Sequence, residues 1–168
     1  MVRRGRRGGK DITRDQVGYI SHRGNISGRE PEKENSPDYL QEALSRGYHV
    51  ECDVRFVKGE NSLYLGHDKP QYPVPIDFFT QGGIWAHCKD VDSLRILHRE
   101  RFANCFYHDK DAFTITSQGY IWCYPGNYVH DGIVVMPEYL PKDMDFSAAT
   151  GVCSDFIHEW REGKWKII

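Results

Sequence analysis

"HVECDVRFV", residues 49–57, alternates side chains in a way that decides how the rest of the chain is read. Glu51 and Asp53 stand two apart, so on a strand both carboxylates leave from one face while Cys52 leaves from the other. Val50, Val54 and Phe56 flank them and give the strand a core character. Two neighbouring acids in a core repel each other and are costly to bury unpaired. A divalent cation between them removes that cost; the competing reading is an edge strand with solvated acids. "WAHCKD" (85–90) repeats the pattern, with His87 and Lys89 on one face and Cys88 on the other.

Strand-like runs bounded by turn residues extend outward on both sides: 17–21, 62–67, 83–88, 104–108, 120–124, 132–137 and 151–156. Two helices are signalled between the early strands, over about 37–46 and 91–101. Ser36 can cap the first, Pro37 suits its first turn, and Gly47 stops it. Asp90 can cap the second, where Val91, Leu94 and Leu97 recur at helical spacing. "PIDFFTQGG" (75–83) suggests a shorter helical turn. Strand alternating with helix predicts an α/β fold with parallel strands. After residue 110 little room is left for helices.

The 168 residues, 39% of them hydrophobic, suit one domain over 17–168 with a real core. No run reaches the roughly 18–20 apolar residues of a membrane span. Residues 1–16 hold six Arg or Lys and two Asp, a net +4, so with −2 overall the remainder carries −6. This basic tail, expected to be flexible, is the one feature that suggests nucleic acid or an anionic surface. No apolar stretch follows it, so no secretory leader is read, and a cytoplasmic protein is expected. The five cysteines are odd in number and form no CxxC, which favours reduced core thiols over disulfides or a cysteine zinc site.

"YISHRG" (19–24) and "YLGHD" (64–68) each end an apolar run on a histidine beside a charged residue. Imidazole titrates near neutrality, so His22 and His67 suit a pair in which one ring accepts a proton and the other donates one. Arg23 offers a planar fork for phosphate oxygens and Lys89 a point charge. With a metal at Glu51 and Asp53, these are the parts that stabilise a phosphoryl transition state.

The order His22-Arg23-Gly24, Glu34-Asn35-Ser36, Glu51-x-Asp53, His67-Asp68 resembles the glycerophosphodiester phosphodiesterase family, of the phosphatidylinositol-phospholipase-C-like barrels. The resemblance is close over residues 17–68 and looser beyond, where Lys89 stands at the family's phosphate-binding lysine and "GVCSDF" (151–156) looks like its final strand. It implies a reduced (β/α) TIM-type barrel with trimmed, helix-poor connections in the second half, and a site at the C-terminal ends of its strands. It also implies a metal-dependent phosphodiesterase acting on glycerophosphodiester-like small molecules. His22 and His67 would be the acid–base pair, Arg23 and Lys89 the phosphate binders, and Glu51 and Asp53 the ligands of Mg2+ or Ca2+. The family usually has a third metal carboxylate two residues before the lysine, and this chain has His87 there. If His87 is a ligand, Mn2+ or another transition ion becomes eligible.

Secondary candidates are His108 and Asp109, the strand-end acids Glu138 and Asp155, and Trp122 with Tyr124. The last two share a face and suit either core packing or an apolar wall for a glycerol or alkyl group. Two other functions compete: a non-catalytic phosphate-binding module on the same fold, and a nucleic-acid-associated protein acting through the tail.

Overall fold

The computed structural model describes residues 18–164; the basic tail lies outside them. Ten strands follow in chain order: β1 (Gly18–His22), β2 (His49–Val57), β3 (Ser62–Leu65), β4 (Tyr72–Val74), β5 (Ile84–Cys88), β6 (Asn104–Tyr107), β7 (Phe113–Ile115), β8 (Ile121–Cys123), β9 (Gly132–Val135) and β10 (Gly151–Ser154). Helices α1 (Pro37–Ser45), α2 (Val91–Leu97) and α3 (Ile157–Arg161) complete the regular structure with two 3-10 turns, Ile76–Thr80 and Pro137–Tyr139.

The expected reduced (β/α) TIM-type barrel is not what forms. The ten strands make one mixed sheet curled into a half-barrel, with only three α-helices among the described residues. Neighbours β6, β5, β2, β1, β10, β9 and β8 run parallel, whereas β3, β4 and β7 join antiparallel. The cause lies in the connections. A parallel crossover needs a dozen or more residues, usually with a helix, and the links from β2 to β3, β3 to β4 and β7 to β8 are too short for one. They fold back as hairpins instead. Edge strand β6 meets the turn after β7 at Ser117, whose amide donates to the Cys105 carbonyl (2.8 Å) and whose Oγ accepts from the Cys105 amide (2.9 Å).

The period of two along each strand builds two apolar layers. Val50, Cys52 and Val54 of β2, with Ala86 and Cys88 of β5, pack outward under Leu40 of α1, Leu97 of α2 and Ile157 of α3. Ile20, Trp85, Phe106, Trp122, Ile133 and Cys153 fill the inside of the curl. All five cysteines are free and buried. Ser36 Oγ accepts from the Tyr39 amide to cap α1, and the Asp90 carboxylate accepts from the Ser93 amide to cap α2. Helix α2 ends at Leu97, short of the expected 101. Past Leu97 the polar run 98–101 has no apolar stripe to bury, and a tight turn brings Ala103 into the core. No helix among the described residues is long and apolar enough to cross a membrane.

Candidate metal and phosphate site

Register carries the polar residues to one rim. His22 pairs with Glu51 across β1 and β2, and Asp53 pairs with His87 across β2 and β5. Strand β2 then outruns β1. Val54 is paired with both Leu65 and Cys88, so β3 takes the edge beyond the end of β1. That hairpin returns the chain to the same rim, where the Gly66 amide donates to the Asp53 carbonyl (3.0 Å) and His67 follows. Gly66 is required at this close approach: its φ is +143°, and a Cβ would lie 2.1 Å from the Lys69 carbonyl oxygen. Arg55, which the sequence reading passed over, donates to the His67 carbonyl and fixes the loop.

The segment 22–36 makes a clamp around this rim. Arg23 and Asn35 both adopt positive φ (54° and 64°), and the Asn35 amide donates to the Arg23 carbonyl. Asn35 holds Asp53 twice, donating through Nδ2 to Oδ2 (2.9 Å) and accepting the Asp53 amide at Oδ1 (2.9 Å). Glu34 accepts from Arg23, Asn25 and Arg29 at 3.0–3.2 Å. Burial pushes the Glu34 carboxyl up, but these three donors reverse the effect and lower it to about 2. Each member of Glu34-Asn35-Ser36 thus has its own work: holding Arg23, holding Asp53, and capping α1.

His22, Arg23, Glu51, His67, His87 and Lys89 line one cavity of about 330 Å³. Within it the charges are closely spaced. Arg23 Nε lies 2.8 Å from Asp53 Oδ2, and Lys89 Nζ lies 3.8 Å from Asp53 Oδ1. His87 Nε2 donates to the His108 carbonyl (3.0 Å), which turns Nδ1 toward Glu51 Oε1 and Asp53 Oδ1, each 3.6 Å away. Stacking on Phe106, with ring centroids 5.0 Å apart, holds that orientation. Burial raises the Asp53 carboxyl, yet the Arg23 charge, His87 and the Asn35 hydrogen bond outweigh it and hold it below its ordinary value.

The donor set fits a metal. Glu51, Asp53 and His87 offer ligand atoms within 4.8 Å of one another, a group that can hold an ion. Glu51 Oε2 and Asp53 Oδ1 are buried and accept no hydrogen bond among the described residues. Buried carboxylate oxygens without a donor are costly. Arg23 and Lys89 offset the charge of Asp53 but donate to neither of these two oxygens, and a metal ion between them would satisfy both.

His22 has a partner distant in sequence. Its Nδ1 donates to Asp155 Oδ1 (2.8 Å), and Asn25 Nδ2 donates to the same oxygen (2.8 Å). The acceptor-only carboxylate fixes the tautomer, leaving Nε2 toward the cavity, 3.8 Å from Glu51 Oε2. Burial lowers the His22 pKa, but the Asp155 bond and the Glu51 charge more than offset this and raise it above its ordinary value. His67 is more exposed, and its Nδ1 pairs with Asp68 at 2.7 Å.

The opposite wall is apolar: Trp122, Tyr124, Pro125, Val135, Met136 and Tyr139. His108 and Asp109 also line the cavity, whereas Glu138 turns to Ser154 Oγ (3.0 Å). Sequence reasoning missed Pro125, Met136 and Tyr139. The one signal was "VVMPEY" (134–139), where Met136 takes a left-handed conformation (φ 49°) before Pro137 and swings Tyr139 to the rim.

No protein-family model, curated protein or solved structure matches this chain.

Proposed function

We propose that the protein is a metal-dependent phosphodiesterase. The observation that carries this reading is one cavity lined by Glu51, His87, two cationic side chains and two further histidines, with the buried Asp53 beside Arg23, His87 and Lys89, and a donorless oxygen on each carboxylate. The ordered motifs resembling the glycerophosphodiester phosphodiesterase family support the same reaction class and a small glycerophosphodiester-like substrate.

Glu51, Asp53 and His87 would hold a divalent ion, which supplies Lewis-acid polarisation of a phosphoryl oxygen. Arg23 and Lys89 bind the non-bridging oxygens and offset the charge that grows on them in the transition state. His22 and His67 share the proton work: one ring takes a proton from the attacking water, and the other gives one to the departing alcohol oxygen. The phosphorus gains the water oxygen and loses one ester oxygen. Asp155 positions His22 so that Nε2 faces the reacting groups.

An imidazole among the ligands draws the preference from Mg2+ or Ca2+ toward Mn2+ or another first-row transition ion. His87→Glu supplies a third hard oxygen and is expected to return the preference to Mg2+ or Ca2+. Five free, buried thiols suit a reducing compartment, and we assign the protein to the cytoplasm on that basis.

The test is hydrolysis of glycerophosphodiesters, lysophospholipids and bis-(p-nitrophenyl) phosphate with Mg2+, Ca2+ and Mn2+ in turn. Metal-dependent release of alcohol from at least one diester is expected. A folded, metal-loaded protein that binds phosphate and cleaves none of them would instead be a phosphate-binding module.

A further inference from the structure

We infer that one ester arm of the substrate is a compact, flat aromatic group that stacks on the wall formed by Trp122, Tyr124 and Tyr139. The inference rests on the phosphodiesterase reading for the position of the phosphate, and goes beyond it in naming the arm. It departs from the glycerol or alkyl arm that the sequence alone suggested for this wall.

The cavity has two chemically distinct sides. Every cation and every metal-ligand candidate belongs to the β1, β2 and β5 ends and the β3 hairpin. The second half of the chain contributes three aromatic rings, a proline, a valine and a methionine, together with His108 and Asp109. A polyol arm needs hydrogen-bond partners for its hydroxyls, and hydroxyls left unpaired in a site cost affinity. Beyond His108, Asp109 and the two tyrosine hydroxyls, this side offers such an arm no polar side chain, and no Ser, Thr, Asn or Gln lines the cavity.

Two of the rings are held by neighbouring rings. Trp122 is buried between Phe106 and Trp85, with centroids 4.6 and 5.7 Å away. His108 meets Tyr124 edge to face at 5.4 Å. Yet Tyr124 and Tyr139 remain 40% and 68% exposed, so they present ring surface that the fold itself does not cover. Preset aromatic rings favour a flat partner, because stacking adds to simple burial and the partner loses little conformational freedom. A flexible alkyl arm gains only the burial and must be ordered bond by bond. Size agrees. About 330 Å³ stands at the low end of the roughly 300–1,000 Å³ of ligand pockets, which suits a phosphodiester and one ring system better than a long acyl chain.

The test is competition binding to the metal-loaded full chain with inorganic phosphate, glycerol 3-phosphate, hexyl phosphate and phenyl phosphate. Phenyl phosphate is expected to bind about tenfold or more tighter than glycerol 3-phosphate, and tighter than hexyl phosphate. Tyr139→Leu and Tyr124→Ala should each remove most of that advantage while leaving inorganic phosphate affinity unchanged, and Tyr139→Phe should keep it. Equal affinity for phenyl and glycerol phosphates, with inorganic phosphate still bound, would overturn the inference and leave the phosphodiesterase reading standing. Equal affinity for phenyl and hexyl phosphates would overturn the flat-ring claim. Failure of inorganic phosphate itself to bind would remove the functional reading and this inference together.

Discussion

The two halves of the chain treat one curled sheet differently. Over residues 18–100, α1 and α2 cover the outer face of β2 and β5, and the inner rim of those strands is crowded with charge. Over residues 104–164, the short links around β6, β7 and β8 leave Tyr107, Phe113 and Ile115 exposed, and the rim is aromatic. The difference teaches how a small chain can divide labour. Buried charges need rigid neighbours and matched donors, and the helix-backed half supplies both. An aromatic wall needs no matched donors, and ring-on-ring packing holds it on short strands and turns.

The sharpest way to break this comparison is to remove the chemistry of the first half. His22→Asn and His67→Asn are each expected to lower turnover by about 10²-fold or more, the usual scale of general acid–base catalysis. The double variant should lose much less than the product, because groups acting as a unit are non-additive. Steady-state kinetics against pH would show a bell in the wild type. Asp155→Asn should move the His22 limb to lower pH, since the carboxylate charge that favours the protonated ring is gone. Unchanged turnover in both single variants would place the chemistry elsewhere.

A stability contrast sharpens it further. Leu40 of α1 is fully buried, so Leu40→Ala should cost about 2–5 kcal/mol. Ile115 on β7 is 69% exposed, and Ile115→Ala should stay within about 0.5 kcal/mol. Denaturant unfolding of both variants checks this, and similar losses would mean that Ile115 is packed rather than exposed.

Much of the first half was legible before any coordinates. Alternation alone put Glu51 with Asp53 and His87 with Lys89, and the Ser36 and Asp90 caps marked both helix starts. What alternation does not carry is strand direction. An apolar–polar period of two looks the same in parallel and antiparallel neighbours, so "SLYLGH" (62–67) read as a barrel strand when it is half of a hairpin. Pro73 hid β4, because a proline in a strand is tolerated chiefly at an edge. β7 is three residues with only Thr114 less than exposed, too little pattern to register. The Asp155 partnership with His22 spans 133 residues and rests on β1 pairing with β10, which no local signal encodes.

A smaller effect tests the clamp that steadies the charged half. The folded Glu34 carboxyl is lowered to about 2, below its unfolded value near 4.3. Its contribution to stability is therefore present above about pH 4.3 and lost as pH falls through 2. Glu34→Gln should be less stable than the wild type at pH 7, and the gap should close in acid. Thermal melts of the two proteins between pH 7 and 2 would show it, and a gap independent of pH would mean that Glu34 acts by shape rather than charge.

The most direct test of the central claim is to strip the protein of metal, titrate Mn2+ back, and follow bound ion and bis-(p-nitrophenyl) phosphate hydrolysis in the same samples. One ion per chain is expected to bind, with hydrolysis rising in proportion to occupancy, and Asp53→Asn should abolish both while the fold persists. Hydrolysis in the metal-free protein, or Mn2+ binding unchanged in Asp53→Asn and Glu51→Gln, would contradict the account.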